Sequence, residues 1–115
     1  MITETQGGTM ANPRADLSEI VDDTAFNLSG QERGQFARAQ LKLDEYDEGH
    51  CLVVLSVPES LAVLSPSFVQ GLLAPTVRRY GSRMAFYERY KIEASDFMRK
   101  QIDSGVRRIL ALSKH

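Results

Sequence analysis

The sequence predicts an α/β fold, a small domain with a mixed sheet of about four strands and about three helices. Three observations lead there. His50 to Val57 is a nearly continuous apolar and β-branched run, the pattern of a strand buried on both faces. Leu61 to Leu64 is a second short apolar run that stops at Ser65, where a helical pattern starts at once. Strand-like and helix-like segments then alternate along the chain, which implies crossover connections and a partly parallel sheet.

Taken in order, Met1 to Asp16 is polar and glycine-containing and reads as a disordered tail. Met10 is an alternative start to Met1. The domain is expected over 17–115. Leu17–Val21 and Thr24–Leu28 partly alternate around a turn-like Asp22-Asp23, as in a hairpin or one edge strand. Ser29 followed three residues later by Glu32 has capping-box spacing, so a helix is expected from there to about Leu43. Phe36, Ala37, Ala39, Leu41 and Leu43 form its apolar stripe, and Asp44 to Gly49 reads as the acidic loop that closes it. Pro58 ends the strand that begins at His50.

The central helix is expected from Pro66 to about Tyr80. Ser65 suits the N-cap and Pro66 the first helical position, where a missing N–H costs nothing. Phe68, Val69, Leu72, Leu73, Thr76, Val77 and Tyr80 recur at helical spacing and give one apolar face. Pro75 lies inside this helix and predicts a kink or a restart, with Gly71 four residues earlier relieving some of the crowding. Gly81 is placed to end it. Met84–Tyr87 reads as a further strand. Ser95-Asp96 then caps a last helix with Phe97, Met98, Ile102, Val106, Ile109 and Leu110 as its buried stripe.

At 115 residues the chain is one domain, and its 43% hydrophobic content suffices for a single core. No run is long enough to span a membrane, and the N-terminus shows no apolar leader segment. The lone Cys51 excludes an intrachain disulfide and fits a reducing cytoplasm. The net charge of −1 hides a split. Residues 1–77 carry eleven acidic and four basic residues, a net −7; residues 78–115 carry four acidic and ten basic, a net +6. Opposed halves of this kind allow two copies to associate as a homodimer, or one half to meet an acidic partner.

No catalytic set emerges. Ser65 and Ser67 lack a neighbouring base, since the histidines are His50 and the last residue, His115, and no G-x-S-x-G elbow is present. Cys51 opens a strand and reads as a small core residue. One cysteine and two distant histidines assemble no metal site, and no glycine-rich phosphate loop occurs. No enzymatic activity, cofactor or metal is therefore expected. Ser65 and Ser67 do sit at a helix N-terminus, where an anion is favoured, and a phosphate there adds a charge of about −1.5 to −2. Simple capping explains the same residues. Tyr80, Tyr87 and Tyr90 beside Arg78, Arg79 and Arg89 are a further candidate surface, or core-edge tyrosines beside solvated arginines.

The order of capped helix, buried strand, Ser65-Pro66-Ser67-Phe68-Val69-Gln70-Gly71-Leu72-Leu73, strand and terminal helix resembles the STAS-like domain of unknown function family, found in bacteria and phage. Gly30 to Arg38 resembles that family's first helix opening, and Ser65 to Phe68 its serine-rich turn; the resemblance covers about residues 17–113. It implies a fold akin to anti-sigma-factor antagonists, in which a serine at this helix start is phosphorylated by an ATPase-type kinase. Ser65 falls nearest that serine, with Ser67 as the alternative. The expected function is a cytoplasmic, non-enzymatic regulatory module whose partner-binding surface is Ser65, Ser67 and Phe68. The alternative is a binder of nucleic acid or acidic protein that uses the basic side of the last helix, Arg99, Lys100, Arg107 and Arg108; a phage-encoded, host-targeting protein is one form of it.

Overall fold

The computed structural model describes residues 13–20 and 27–113. Its elements are β1 (Arg14–Asp16), a short 3-10 turn (Leu17–Glu19), β2 (Asn27–Leu28), α1 (Gln31–Gln40), α2 (Leu43–Glu48), β3 (Val53–Ser56) and β4 (Val63–Leu64). They continue with α3 (Pro66–Tyr80), α4 (Arg83–Arg89), β5 (Tyr90–Glu93) and α5 (Asp96–Ser113). The fold is α/β, as expected, but its strands are arranged differently. A three-stranded sheet runs β1-β3-β5, and β2 and β4 form a separate pair. Every one of these pairings is parallel, so the mixed sheet gives way to a parallel one, and the described residues form five α-helices. No helix among the described residues is long and apolar enough to cross a membrane.

The sheet buries one face. Ala15, Leu55 and Ile92 are in register across the three strands, and Val53 is in register with Tyr90. Val53, Leu55 and Tyr90 are buried, while Val54 and Ser56 are half-buried. Alternate residues of a strand point to opposite faces, so β3 is fully covered on one side only. Residues 14–16, assigned above to the tail, form an edge strand of this sheet. Residues 1–12 of the expected tail and the Asp22-Asp23 turn lie outside the described residues. Of the hairpin or edge strand expected here, Leu17–Glu19 is a 3-10 turn and Asn27–Leu28 is a strand, β2, that pairs in parallel with β4.

Helix α3 is the centre of the core. Phe68, Val69, Leu72, Leu73 and Val77 are buried, as the spacing predicted. Ser65 caps it, accepting the Phe68 N–H at 3.2 Å, and Gly81 ends it at φ 83° with its N–H on the Val77 carbonyl. The helix is continuous through Pro75, which is exposed, so no restart occurs there. Gly71 has a different use from the one expected. Gly34 on α1 and Gly71 on α3 face each other, and a Cβ on Gly71 would lie 2.1 Å from the Gln31 carbonyl oxygen. A Cβ on Gly34 would lie 2.2 Å from the Phe68 carbonyl oxygen. On the other flank Gly105 lets α5 approach, since a Cβ there would lie 2.3 Å from Val69 Cγ1.

Four readings of local sequence are corrected. The capping box at Ser29 does not form. Gly30 occupies the N-cap at φ 93° without a side-chain cap, and its N–H donates to Ser67 Oγ instead. The acidic stretch after Leu43 is helix α2, not a loop. Lys42 turns the chain in a left-handed conformation at φ 61°, and Leu43 and Asp47, four apart, bury one face. Met84–Tyr87 is helical. Ser82 caps α4 by accepting the Ala85 N–H at 3.0 Å, and the strand follows it at Tyr90–Glu93. Phe36 and Phe97 leave their apolar stripes at 63% and 57% exposure.

A buried polar network ties these parts together. Arg38 on α1 donates to the Leu72 carbonyl at 2.9 Å, to Thr76 Oγ1 at 2.8 Å and to Asp47 Oδ2 at 2.8 Å. Its Nε also reaches Asp44 Oδ1 at 2.9 Å. Asp47 further accepts the hydroxyls of Thr76 and of Tyr90, the latter at 2.7 Å. Burial and the Asp47 carboxylate both raise the Tyr90 pKa, so the phenol stays protonated and donates. Asp47 and Arg38 are 1% and 6% exposed, so each is the other's compensation for lost hydration.

Removing one partner of a buried pair leaves the other charge unpaired. Asp47→Ala is expected to cost about 3–5 kcal/mol in urea unfolding, whereas Asp44→Ala, at an exposed carboxylate, costs about 0–1 kcal/mol. Gly71→Ala forces a methyl against backbone and is expected to destabilise by about 1–3 kcal/mol or more, read in the same experiment.

Candidate functional site

The start of α3 is built by two chain segments. β4 delivers Leu64 beside Leu28 of β2, and the Ser65 N–H donates to the Leu28 carbonyl at 2.9 Å. On the far side of β4 the Leu64 N–H donates to Gln101 Oε1 of α5 at 2.9 Å. Pro66 then begins the helix. Ser65 Oγ is committed to the Phe68 N–H, and Ser67 Oγ accepts the Gly30 N–H at 3.1 Å. The two hydroxyl oxygens are 3.0 Å apart. One hydroxyl hydrogen fills that contact, which leaves the other for solvent or a ligand.

Ser67 is exposed and Ser65 is half-buried, so the turn presents a hydroxyl pair at the positive end of a 15-residue helix. Phe68 is corrected as a partner-binding residue. It is fully buried and anchors the turn from below. Sequence spacing predicted that burial for α3, and it excludes Phe68 from the surface. What the sequence did not reveal is Gly30, which reaches the site from 37 residues away. No histidine or carboxylate hydrogen-bonds either serine among the described residues.

The basic residues of α5 fall into two sets. Arg99 and Lys100 line a cleft of about 570 Å³ between α4, β5 and α5, with Arg83, Tyr87, Lys91, Ile92, Asp96 and Asp103. Arg107 lies two turns after Lys100 on the same side, but is held by Asp103 at 2.9 Å. At about 100° per residue, Arg108 points to another flank, so the four do not form one patch.

Asp103 is the hub of the cleft. It accepts Arg83 Nε at 2.7 Å, Tyr87 OH at 2.8 Å and Arg107 Nε at 2.9 Å. Partial burial opposes its ionisation, but the hydrogen bonds from Arg83 and Tyr87 and the two arginine charges outweigh it, and its pKa is lowered. Burial and the bond to Asp103 raise that of Tyr87. Arg83 also stands over the Tyr87 ring, 5.4 Å from its centroid. Sequence reading missed Arg83 and Lys91 here, because only the packing of α4 on α5 brings them beside Arg99 and Lys100.

The tyrosine set weighed above is divided. Tyr90 is buried on Asp47 and Tyr87 belongs to the cleft, while Tyr80 is half-buried within reach of the charges of Arg79 and Arg89, the latter donating to the His50 carbonyl at 3.1 Å. Cys51 is half-buried just before β3 and packs against the core. No group of three metal-ligating side chains is present among the described residues. The geometry defines a parallel α/β domain with an exposed hydroxyl pair at one helix start and a cationic cleft between α4 and α5. Comparison with protein-family models, with curated proteins and with solved structures returns no match to this chain.

Asp103 stabilises the fold through its ionised form. Because its folded pKa is lowered, that contribution is complete above the unfolded carboxylate value and is lost as pH falls through the folded one. Asp103→Asn is expected to be less stable than the parent at neutral pH and to have a flatter stability curve below about pH 4. Urea titrations across that range read the difference.

Proposed function

We propose that this chain is a non-enzymatic, STAS-like interaction module whose partner reads the start of α3, switched by phosphorylation of a serine there. The observation that carries the reading is the bridged hydroxyl pair. Ser67 is exposed, its oxygen accepts the Gly30 N–H, and it touches Ser65 Oγ. A phosphate on Ser67 brings three strong acceptors to the free N–H end of α3 and beside the Gly30 N–H. Ser65 is the less accessible acceptor, because its oxygen caps the Phe68 N–H. The change in charge falls where β2, α1 and α3 meet, so one modification alters a surface shared by three elements. The parallel α/β build and the resemblance of Ser65 to Leu73 to the STAS-like family support the same reading, with an ATPase-type kinase as the class of partner.

The test is quantitative affinity purification from the native host with ATP, followed by phosphopeptide mapping. Phosphate on Ser67 or Ser65, and a partner whose recovery changes about tenfold on Ser67→Glu but not on Ser67→Ala, are the expected results. An unmodified turn together with recovery indifferent to Ser67→Glu overturns the reading.

A further inference from the structure

We propose that the cleft between α4, β5 and α5 binds a compact ligand carrying a chain of two or more phosphates, as in a nucleoside triphosphate or inorganic tripolyphosphate. This site shares no residue with the Ser65–Ser67 turn and stands independently of the function proposed for it. The cleft volume of about 570 Å³ falls within the range of small-ligand sites.

Charge decides the ligand's sign. Arg83, Lys91, Arg99 and Lys100 line the wall against Asp96 and Asp103. Asp103 is spent internally. Two guanidiniums, from Arg83 and from Arg107, hold it at 2.7 and 2.9 Å, and Tyr87 takes a further lone pair. Lys91, Arg99 and Lys100 have no carboxylate within ion-pair distance among the described residues. Three cations without an ion-pair partner among the described residues thus line one concavity, where Asp96 is the other acid of the described lining. Gathering like charges this way costs free energy that a multivalent anion recovers.

Position adds a second argument. Arg99 and Lys100 lie about one turn into α5, toward its positive end, where the macrodipole disfavours cations. An acidic ligand in the cleft relieves both repulsions at once. The same geometry selects a compact ligand over a nucleic-acid strand. Arg107 is committed to Asp103 and Arg108 points to another flank, so the cations do not continue along α5 as a track for a polymer backbone. Tyr87 and Ile92 supply a less polar wall for whatever the phosphate chain is attached to.

The test is calorimetric titration of the full chain with ATP, GTP, tripolyphosphate and orthophosphate, at low and at physiological salt. The expected result is saturable one-to-one binding of tripolyphosphate or a nucleoside triphosphate, at least about tenfold tighter than orthophosphate and weakened by salt. The triple variant Lys91→Gln, Arg99→Gln, Lys100→Gln changes exposed residues only and is expected to lose about tenfold or more, while Arg33→Gln on α1 keeps the parent affinity. Circular dichroism confirms that the triple variant folds. Binding of tripolyphosphate equal to that of ATP assigns recognition to the phosphate chain alone; tighter ATP or GTP adds the nucleoside. No saturable binding at low salt, equal loss in Arg33→Gln, or tighter binding of a single-stranded oligonucleotide or an acidic peptide overturns the proposal.

Discussion

The buried Arg38–Asp47 pair is the constraint on which the rest of the structure hangs. Arg38 comes from α1, Asp47 from α2, Thr76 and the Leu72 carbonyl from α3, and Tyr90 from the start of β5. Each group satisfies another that would otherwise be buried without a partner. A hydrophobic substitute can fill the same volume, but it cannot require these four elements to meet in one register. The network therefore ties α1, α2 and α3 to the edge strand β5.

Close backbone approach complements it. Gly34 and Gly71 bring α1 onto α3 with no side chain between them, and Gly105 does the same for α5 against Val69. With α3 packed closely on both flanks, the Gly30 N–H at the start of α1 reaches Ser67. The contact of the Gly30 N–H with Ser67 is thus a consequence of the helix packing, while the Ser65–Ser67 pair itself is local. The cationic cleft has a separate origin, in the folding of α4 and β5 against α5, with Asp103 as the clamp between Arg83, Tyr87 and Arg107.

Local chemistry made α3 legible in advance. Ser65, Pro66 and Gly81 are end signals that act within one turn, and Phe68 to Val77 repeat with the helical period, so neighbours along the chain suffice to read them. The same local logic failed at Ser29, where the cap went to Gly30. It failed again at Met84–Tyr87, where an apolar and aromatic run resembles a strand but the Ser82 cap makes it a helix. Asp44 to Glu48 looked like a solvated acidic turn because nothing nearby in sequence shows that Asp47 meets Arg38 in the core.

Sequence thus sufficed for the α/β class, the bounds of α3, a strand within His50 to Val57, which forms over Val53–Ser56 only, and the hydroxyls at Ser65 and Ser67. These depend on periodicity and on hydrogen bonds spanning a few residues. Folding settled the parallel order of the sheet, the pairing of Gly30 with Ser67, and the gathering of Arg83 and Lys91 beside Arg99 and Lys100. Each of those joins residues from separate elements, and such contacts arise only when helices pack closely enough for side chains to compete for the same charges and the same space.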